Sequence, residues 1–344
     1  MTTPVPLRAT LERLLNREDL SEGEASVLLT ALADATVAPP LASAILVALR
    51  TKGETAEEVR GFARAMRSLA RKPRIAQGSP ILDIVGTGGD ASGSLNLSTG
   101  AALLAAACGV RVVKHGNRSI SSRSGSADTL EALGLKMPLD EVEAGACLAA
   151  TGFTFLFAPY YHAATKAIAQ VRSALGIRTV FNLLGPLTNP AAPPFSLIGA
   201  FSLPAAELMA NAFSGMPIER VLVIHGEAGW DEPTPVGPFH VFDVRPGKIT
   251  HETRDASMYG LASCSASDLA GGDVAHNAAR MRAVLEGREQ GPHRNAIILE
   301  TALALELTGR ESGPLAAATA AGRAIDDGSA ARLLAELARF SARG

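Results

Sequence analysis

The segment that most constrains this chain is Ile81-Leu82-Asp83-Ile84-Val85 followed by Gly86-Thr87-Gly88-Gly89-Asp90. A short, largely β-branched apolar run that stops at a glycine-rich turn is the pattern of a buried strand leaving a sheet. Glycine tolerates positive φ and lets a ligand reach the backbone without meeting a side chain. Asn96, Leu97, Ser98 and Thr99 follow, and Ser98 or Thr99 is expected to cap an apolar helix over Gly100–Cys108 that ends at Gly109. The unpaired N–H groups and partial positive charge of a helix start favour phosphate oxygens. On their own, the glycines fit a structural turn equally well.

A second crossing follows. Val110–Val113 reads as the next strand, leading into a loop that starts Lys114-His115-Gly116-Asn117-Arg118 and continues through Ser126 to Asp128. Three cations and five hydroxyls within thirteen residues combine a point charge, planar forks and short donors, a set that suits a polyphosphate. Such a stretch alone also fits a solvated basic loop. Two of them after consecutive strands point to an anion site, because ligands of α/β sheets sit beyond the carboxyl ends of the strands. A third candidate strand, Val221–His225, runs into Gly226-Glu227-Ala228-Gly229-Trp230-Asp231-Glu232. Adjacent acids in a loop also fit a merely solvated turn, but beside two phosphate loops they suit magnesium, which prefers oxygen ligands.

The net charge is −2 and the cations are local, which argues against an extended nucleic-acid surface. No uncharged apolar run reaches the roughly 18 residues of a membrane span. Arg8, Glu12, Arg13 and Arg17 interrupt the apolar positions of the N-terminal segment, which lacks the core of a secretory signal, and a cytoplasmic location is expected. Cys108, Cys147 and Cys264 are far apart and read as inert core thiols.

The fold class expected is α/β: a small N-terminal helical domain over 1–72, then an α/β domain over 80–344 with a mostly parallel central sheet. Ser21 with Glu24 and Thr55 with Glu58 match capping boxes, and Pro39-Pro40 opens another helix. Further strands are expected at Phe153–Phe157 and Ser196–Phe201, with a hairpin of Phe239–Val244 and Lys248–Thr253 around Pro246-Gly247. Helices are expected at Val274–Leu285, Asn295–Leu307 and Ala316–Ile325.

These blocks, with Leu130-Glu131-Ala132-Leu133-Gly134 and the run from Arg172-Ser173-Ala174-Leu175-Gly176-Ile177-Arg178-Thr179 to Phe181-Asn182-Leu183-Leu184-Gly185-Pro186-Leu187-Thr188-Asn189-Pro190, resemble the anthranilate phosphoribosyltransferases over nearly the whole chain. The resemblance implies transfer of a phosphoribosyl group from phosphoribosyl pyrophosphate to anthranilate in tryptophan biosynthesis. It also implies a homodimer and a helical domain completed by helices from about 162–190. Gly86, Gly89, Asp90, Ser94, Asn96, Leu97, Ser98 and Thr99 would contact phosphoribosyl pyrophosphate. Lys114, His115, Gly116, Asn117, Arg118, Ser119, Ile120, Ser121, Ser122 and Ser126 would complete that pocket. Two magnesium ions are implied, one held by Ser98 and Glu232 and one by Asp231 and Glu232. Gly86, Asn117 and Arg172 would meet anthranilate, and Lys114, Asn117 and Arg172 would carry catalysis. A guanidinium fork suits the anthranilate carboxylate, whereas His115 and His162 read as structural.

Ala163 stands where the family commonly has proline, Thr165 where methionine is frequent, and Trp230 where a smaller residue is usual; Trp230 is expected to pack. A pyrimidine nucleoside phosphorylase is the alternative reading. A non-catalytic nucleic-acid-binding relative is disfavoured by the retained glycine turn and the slightly acidic charge.

Overall fold

A computed structural model describes residues 6–342 apart from 35, 77, 79, 91 and 119–123. Four helices open the chain, α1 (Leu7–Leu15), α2 (Glu22–Ala33), α3 (Pro39–Lys52) and α4 (Ala56–Leu69). Both expected capping boxes form. Glu24 N donates to Ser21 Oγ at 3.3 Å and Ser21 N to Glu24 Oε2 at 2.9 Å. Glu58 N donates to Thr55 Oγ1 at 3.2 Å and Thr55 N to Glu58 Oε2 at 2.8 Å. Each box satisfies helix-start donors that would otherwise go unpaired.

Strands and helices then alternate: β1 (Ile81–Gly86), α5 (Leu97–Ala107), β2 (Arg111–Gly116), α6 (Ser126–Ala132), α7 (Glu141–Thr151) and β3 (Phe153–Phe157). Three helices, α8 (Ala158–Tyr161), α9 (Lys166–Leu175) and α10 (Phe181–Leu187), lead to β4 (Phe195–Gly199), α11 (Leu203–Ser214) and β5 (Arg220–Gly226). The hairpin β6 (Phe239–Arg245) and β7 (Lys248–Arg254) precedes α12 (Val274–Leu285), α13 (Pro292–Leu307), α14 (Pro314–Asp326) and α15 (Ser329–Ser341). The sheet order is β3-β2-β1-β4-β5-β6-β7, parallel from β3 through β5 and antiparallel over the last two strands.

Alternation along β5 shows why the sheet is covered on both sides. Leu222 and Ile224 enter one core with α5 and α12 to α15, while Val221 and Val223 enter another with α2, α4, α10 and α11. Each such side chain contributes about 1.5–3 kcal/mol on burial. Helices α9 and α10 pack on the N-terminal helices rather than on the strands that flank them in sequence, α9 against α2 and α3 and α10 against α4.

The structure corrects two expected boundaries. β2 does not stop at Val113; Lys114, His115 and Gly116 pair with Phe155, Leu156 and Phe157 of β3, so they belong to the strand and not to the loop. Polar side chains are tolerated there because β1 supplies partners, as shown below. Helix α5 begins at Leu97 and its cap position is Asn96, so Ser98 and Thr99 lie in its first turn. No side chain at the cap position bonds the helix start, and a residue from far along the chain does so instead.

Candidate active site

The chain crosses from one side of β1 to the other between β3 and β4, and a crevice opens at such a switch point. The turn after β1 there contains two left-handed residues, Gly88 at φ +68° and Gly89 at +77°. Gly86 is required for a different reason: a Cβ would lie 2.5 Å from Asp231 Oδ2. At the end of β4, a Cβ on Gly199 would lie 1.6 Å from the Asp231 carbonyl oxygen. The loop after β5 therefore nests against two bare strand ends, and Gly88 N donates to Asp231 Oδ2 at 2.6 Å.

This nesting gathers three carboxylates. Asp90, Asp231 and Glu232 each present an oxygen within 4.8 Å of the others. Asp90 Oδ2 is buried without a hydrogen-bond partner. Burial, then the charge of Asp90, pushes Asp231 up to about 7. Burial, then Asp231, raises Glu232 well above the usual carboxylate range. Acids crowded away from water resist ionising together, and a divalent cation among them removes both penalties. Three hard oxygen donors and an orphaned buried oxygen fit magnesium. Asp90, expected only as a phosphoribosyl contact, thus joins Asp231 and Glu232. Ser98 is adjacent: its amide donates to Glu232 Oε1 at 3.4 Å, which places a side chain on the open start of α5.

Behind the carboxylates lies a buried cation. Lys114, 1% exposed, donates from Nζ to the Ile84 carbonyl and to Ser98 Oγ at 3.3 Å. Burial lowers the affinity of its ammonium for its proton, while Asp83, Glu300, Glu232 and Asp231 raise it. Asp83, in the middle of β1, accepts from His115 N at 3.1 Å and from Asn189 Nδ2 at 2.8 Å. Asn189 Nδ2 also donates to the Val113 carbonyl at 2.8 Å, stitching the segment after α10 to β1 and β2. Burial pushes Asp83 up to about 6. Glu300 on α13 is buried, its Oε2 lacks a partner, and burial pushes it up to about 8. Sequence reasoning did not place Asp83, Asn189 or Glu300 in the site. For Asp83 and Glu300 the available signal was an acid inside an otherwise apolar strand or helix.

The second expected loop is described only in part, since Ser119, Ile120, Ser121 and Ser122 lie outside the described residues. Asn117 is exposed; its Oδ1 accepts from Arg118 N at 2.7 Å and its carbonyl from Ser126 Oγ at 3.2 Å. Gly116 is tightly placed, as a Cβ would meet Ser126 Oγ at 2.6 Å. The Arg118 fork turns to Glu131 and Asp128. Asn96 ties the two loops: Nδ2 donates to the Ser124 carbonyl at 3.0 Å, and Oδ1 accepts from Thr129 Oγ1 at 2.7 Å and from Asn277 Nδ2 at 3.3 Å. Ser94 Oγ accepts from Ser92 Oγ at 3.2 Å. Leu97 and Thr99 are fully buried, and the Thr99 hydroxyl has no partner.

Arg172 stands apart on α9. Its guanidinium lies over the Phe181 ring at 5.1 Å, and no carboxylate pairs with it among the described residues. Burial lowers its pKa. His115 and His162 meet edge to face at 5.1 Å, and His115 Nδ1 lies 3.3 Å from the Gly185 carbonyl oxygen. Burial pushes them down to about 3 and about 4, so neither is tuned to take a proton near neutral pH. Trp230 is 5% exposed and packs in the core, as expected.

Arg178, which the sequence did not single out for the site, reaches the glycine turn. Its guanidinium donates to the Gly89 carbonyl and covers the Phe201 ring at 4.0 Å, and its own carbonyl accepts from Arg50 of α3.

Residues 8–70 match the helical bundle domain of a glycosyl transferase family, and residues 78–331 match the a/b domain of that family. An anthranilate phosphoribosyltransferase of Desulforudis audaxviator is 41% identical over 98% of this chain and 97% of its own. One of Methylocella silvestris is 42% identical over 98% and 96%. The crystal structure of the Thermus thermophilus anthranilate phosphoribosyltransferase superposes with a TM-score of 0.91 at 41% identity, covering 97% of this chain and 99% of that one. The Saccharomyces cerevisiae protein in complex with PRPP and Mg superposes at 0.90 with 26% identity, covering 99% of both chains. With two linked family domains in order and relatives of this identity along nearly its full length, the chain belongs to the anthranilate phosphoribosyltransferase family.

Proposed function

We propose that the protein moves the 5-phosphoribosyl group of phosphoribosyl pyrophosphate onto the amine of anthranilate and releases pyrophosphate, with inversion at the anomeric carbon. The observation that carries this reading is the meeting of Asp90, Asp231 and Glu232 against the open glycine turn and the start of α5. A carboxylate-rich crevice repels a bare pyrophosphate, so the donor is expected to enter with cations. Bound magnesium, in our reading two ions held by Ser98, Asp90, Asp231 and Glu232, would neutralise the leaving pyrophosphate.

The chain's own residues do the rest. The glycine turn lets the phosphates approach the backbone closely, the positive end of α5 favours them, and Lys114 supplies a positive charge from behind through Ser98. Arg172 and Asn117 are assigned to anthranilate, Arg172 because it has no carboxylate partner of its own among the described residues. An aryl amine is neutral at pH 7, so attack needs no strong base, which agrees with two histidines held neutral by burial. We further assign 1–72 with 162–190 to a helical unit and 80–344 to the α/β unit, and we expect a cytoplasmic homodimer. No helix among the described residues is long and apolar enough to cross a membrane.

Loss of anthranilate fluorescence on mixing protein, phosphoribosyl pyrophosphate and magnesium tests the reaction. The loss should require all components and stop on chelation; phosphorolysis of thymidine or uridine with no fluorescence loss would replace this reading with a nucleoside phosphorylase. Arg172→Ala should raise the KM for anthranilate about tenfold or more, the worth of a charged bidentate pair, and leave that for phosphoribosyl pyrophosphate nearly unchanged. An equal rise in both would remove Arg172 from the acceptor site.

A further inference from the structure

The β6–β7 hairpin, at the sheet edge formed by β7, carries two histidines that the proposed reaction does not use. His240 pairs with Thr253 and Phe242 with His251, so these four residues share one face of the hairpin. His240 Nδ1 and His251 Nε2 are 3.1 Å apart, and Thr253 Oγ1 is 3.5 Å from the same Nδ1. The other nitrogen of His240, Nε2, faces Glu227 Oε1 at 3.8 Å. The His251 ring is stacked on Phe242, with centroids 4.3 Å apart and an interplanar angle of 5°.

We propose that His240 and His251 form a two-imidazole site for a divalent transition-metal ion of the zinc, nickel and copper class. Two metal–nitrogen bonds of about 2.05 Å spanning this 3.1 Å gap subtend about 100°, between the right angle of square or octahedral coordination and the tetrahedral angle. Imidazole nitrogens suit zinc, copper and nickel, whereas magnesium takes oxygen donors, so this site and the acidic cluster sort different ions. The surroundings match those of a ligating histidine, whose second N–H is normally held by a carboxylate that fixes tautomer and ring orientation. Glu227 stands near that nitrogen of His240 at 3.8 Å, beyond a direct hydrogen bond but within reach of a side-chain rotation, and Phe242 stacks on the ring of His251. Partial burial, then His251, hold His240 below the usual histidine range, which leaves its lone pair available at neutral pH. Because His251 and Thr253 are exposed, the remaining coordination positions are open to water and to the threonine hydroxyl.

The bound ion would staple the two outermost strands. Glu227 lies on the β5 loop that ends in Asp231 and Glu232, and its amide donates to the Pro238 carbonyl at 3.0 Å, one residue before β6. The site is thus continuous with the scaffold of the acidic pair, although it does not depend on the reaction assigned there.

Zinc ion titrated calorimetrically into the full chain, with magnesium in large excess to occupy the acidic cluster, tests the site. One zinc should bind with an affinity that falls tenfold or more in His240→Gln and in His251→Asn. Glu227→Gln should lose about tenfold, the low end for a second-sphere carboxylate. Zinc should raise the melting temperature of the unaltered protein and not that of the histidine variants. The ring nitrogen resonances of both histidines should shift on zinc addition to the unaltered protein, a reading that needs no variant to fold. Zinc affinity unchanged in both histidine variants, or ring resonances unmoved at saturating zinc, would overturn the site and leave an ordinary ring-to-ring hydrogen bond.

Discussion

Replacing both acids of the β5 loop, as Asp231→Asn with Glu232→Gln, should lower magnesium-dependent kcat/KM by ~10³-fold or more, because a bound cation contributes several kcal/mol to stabilising the leaving charge. The same double variant should melt higher than the parent when metal is absent. Asp231 is pushed up to about 7 from an ordinary value of 3.8, and Glu232 is raised as well, so the folded state holds these protons more tightly than the unfolded state does. Their contribution favours folding below pH 4 and is lost as pH rises through about 7. The metal-free parent should therefore lose melting temperature between pH 5 and pH 8, and magnesium should restore more of it at pH 8. Amide substitution should flatten that dependence, since Asn can still accept from Gly88. Melting curves at the two pH values, with and without magnesium, read the effect alongside fluorescence kinetics. Near-normal turnover would sink the metal assignment; a lower melting temperature would show that the acids support the fold as anions.

Lys114→Met should cost the most stability, about 3–5 kcal/mol, the range for removing one partner of a buried charge set. Asp83 of β1, Glu300 of α13 and the adjacent Asp231 and Glu232 of the β5 loop all act on this ammonium, so its loss leaves acids facing one another in a region closed to water. Glu300→Gln in the Lys114→Met background should recover part of the loss, with a coupling of about 0.5–3 kcal/mol for groups in one network. Urea unfolding of the four proteins of that cycle measures it. Strictly additive losses would mean that Glu300 and Lys114 do not sense each other. Activity should stay low in the double variant, because the positive charge behind Ser98 remains absent.

What the sequence made legible was local. The glycine turn, both capping boxes and the hairpin around Pro246-Gly247 each depend on residues a few positions apart, and they form as expected. Asp231 and Glu232 were legible as candidates because they follow an apolar strand, and the parallel sheet brings that strand end beside the turn after β1. The start of α5 was misread because Glu232, 134 residues away, bonds its first turn, and no pattern inside the helix records that. Lys114 and His115 were read as loop because polarity marks loops, yet Asp83 and the Ile84 carbonyl supply partners inside the sheet. Glu300 was hidden for the converse reason: α13 is buried nearly all round, so its apolar pattern does not show which neighbours a single acid will meet.

Arg178 links parts of the molecule that are distant in sequence. Its guanidinium is bound to the Gly89 carbonyl, and its own carbonyl is bound by Arg50 of α3. One residue thus serves as a mechanical coupling, donor at one end and acceptor at the other. A displacement of the glycine turn would therefore pull on a hydrogen-bonded relay that ends on α3.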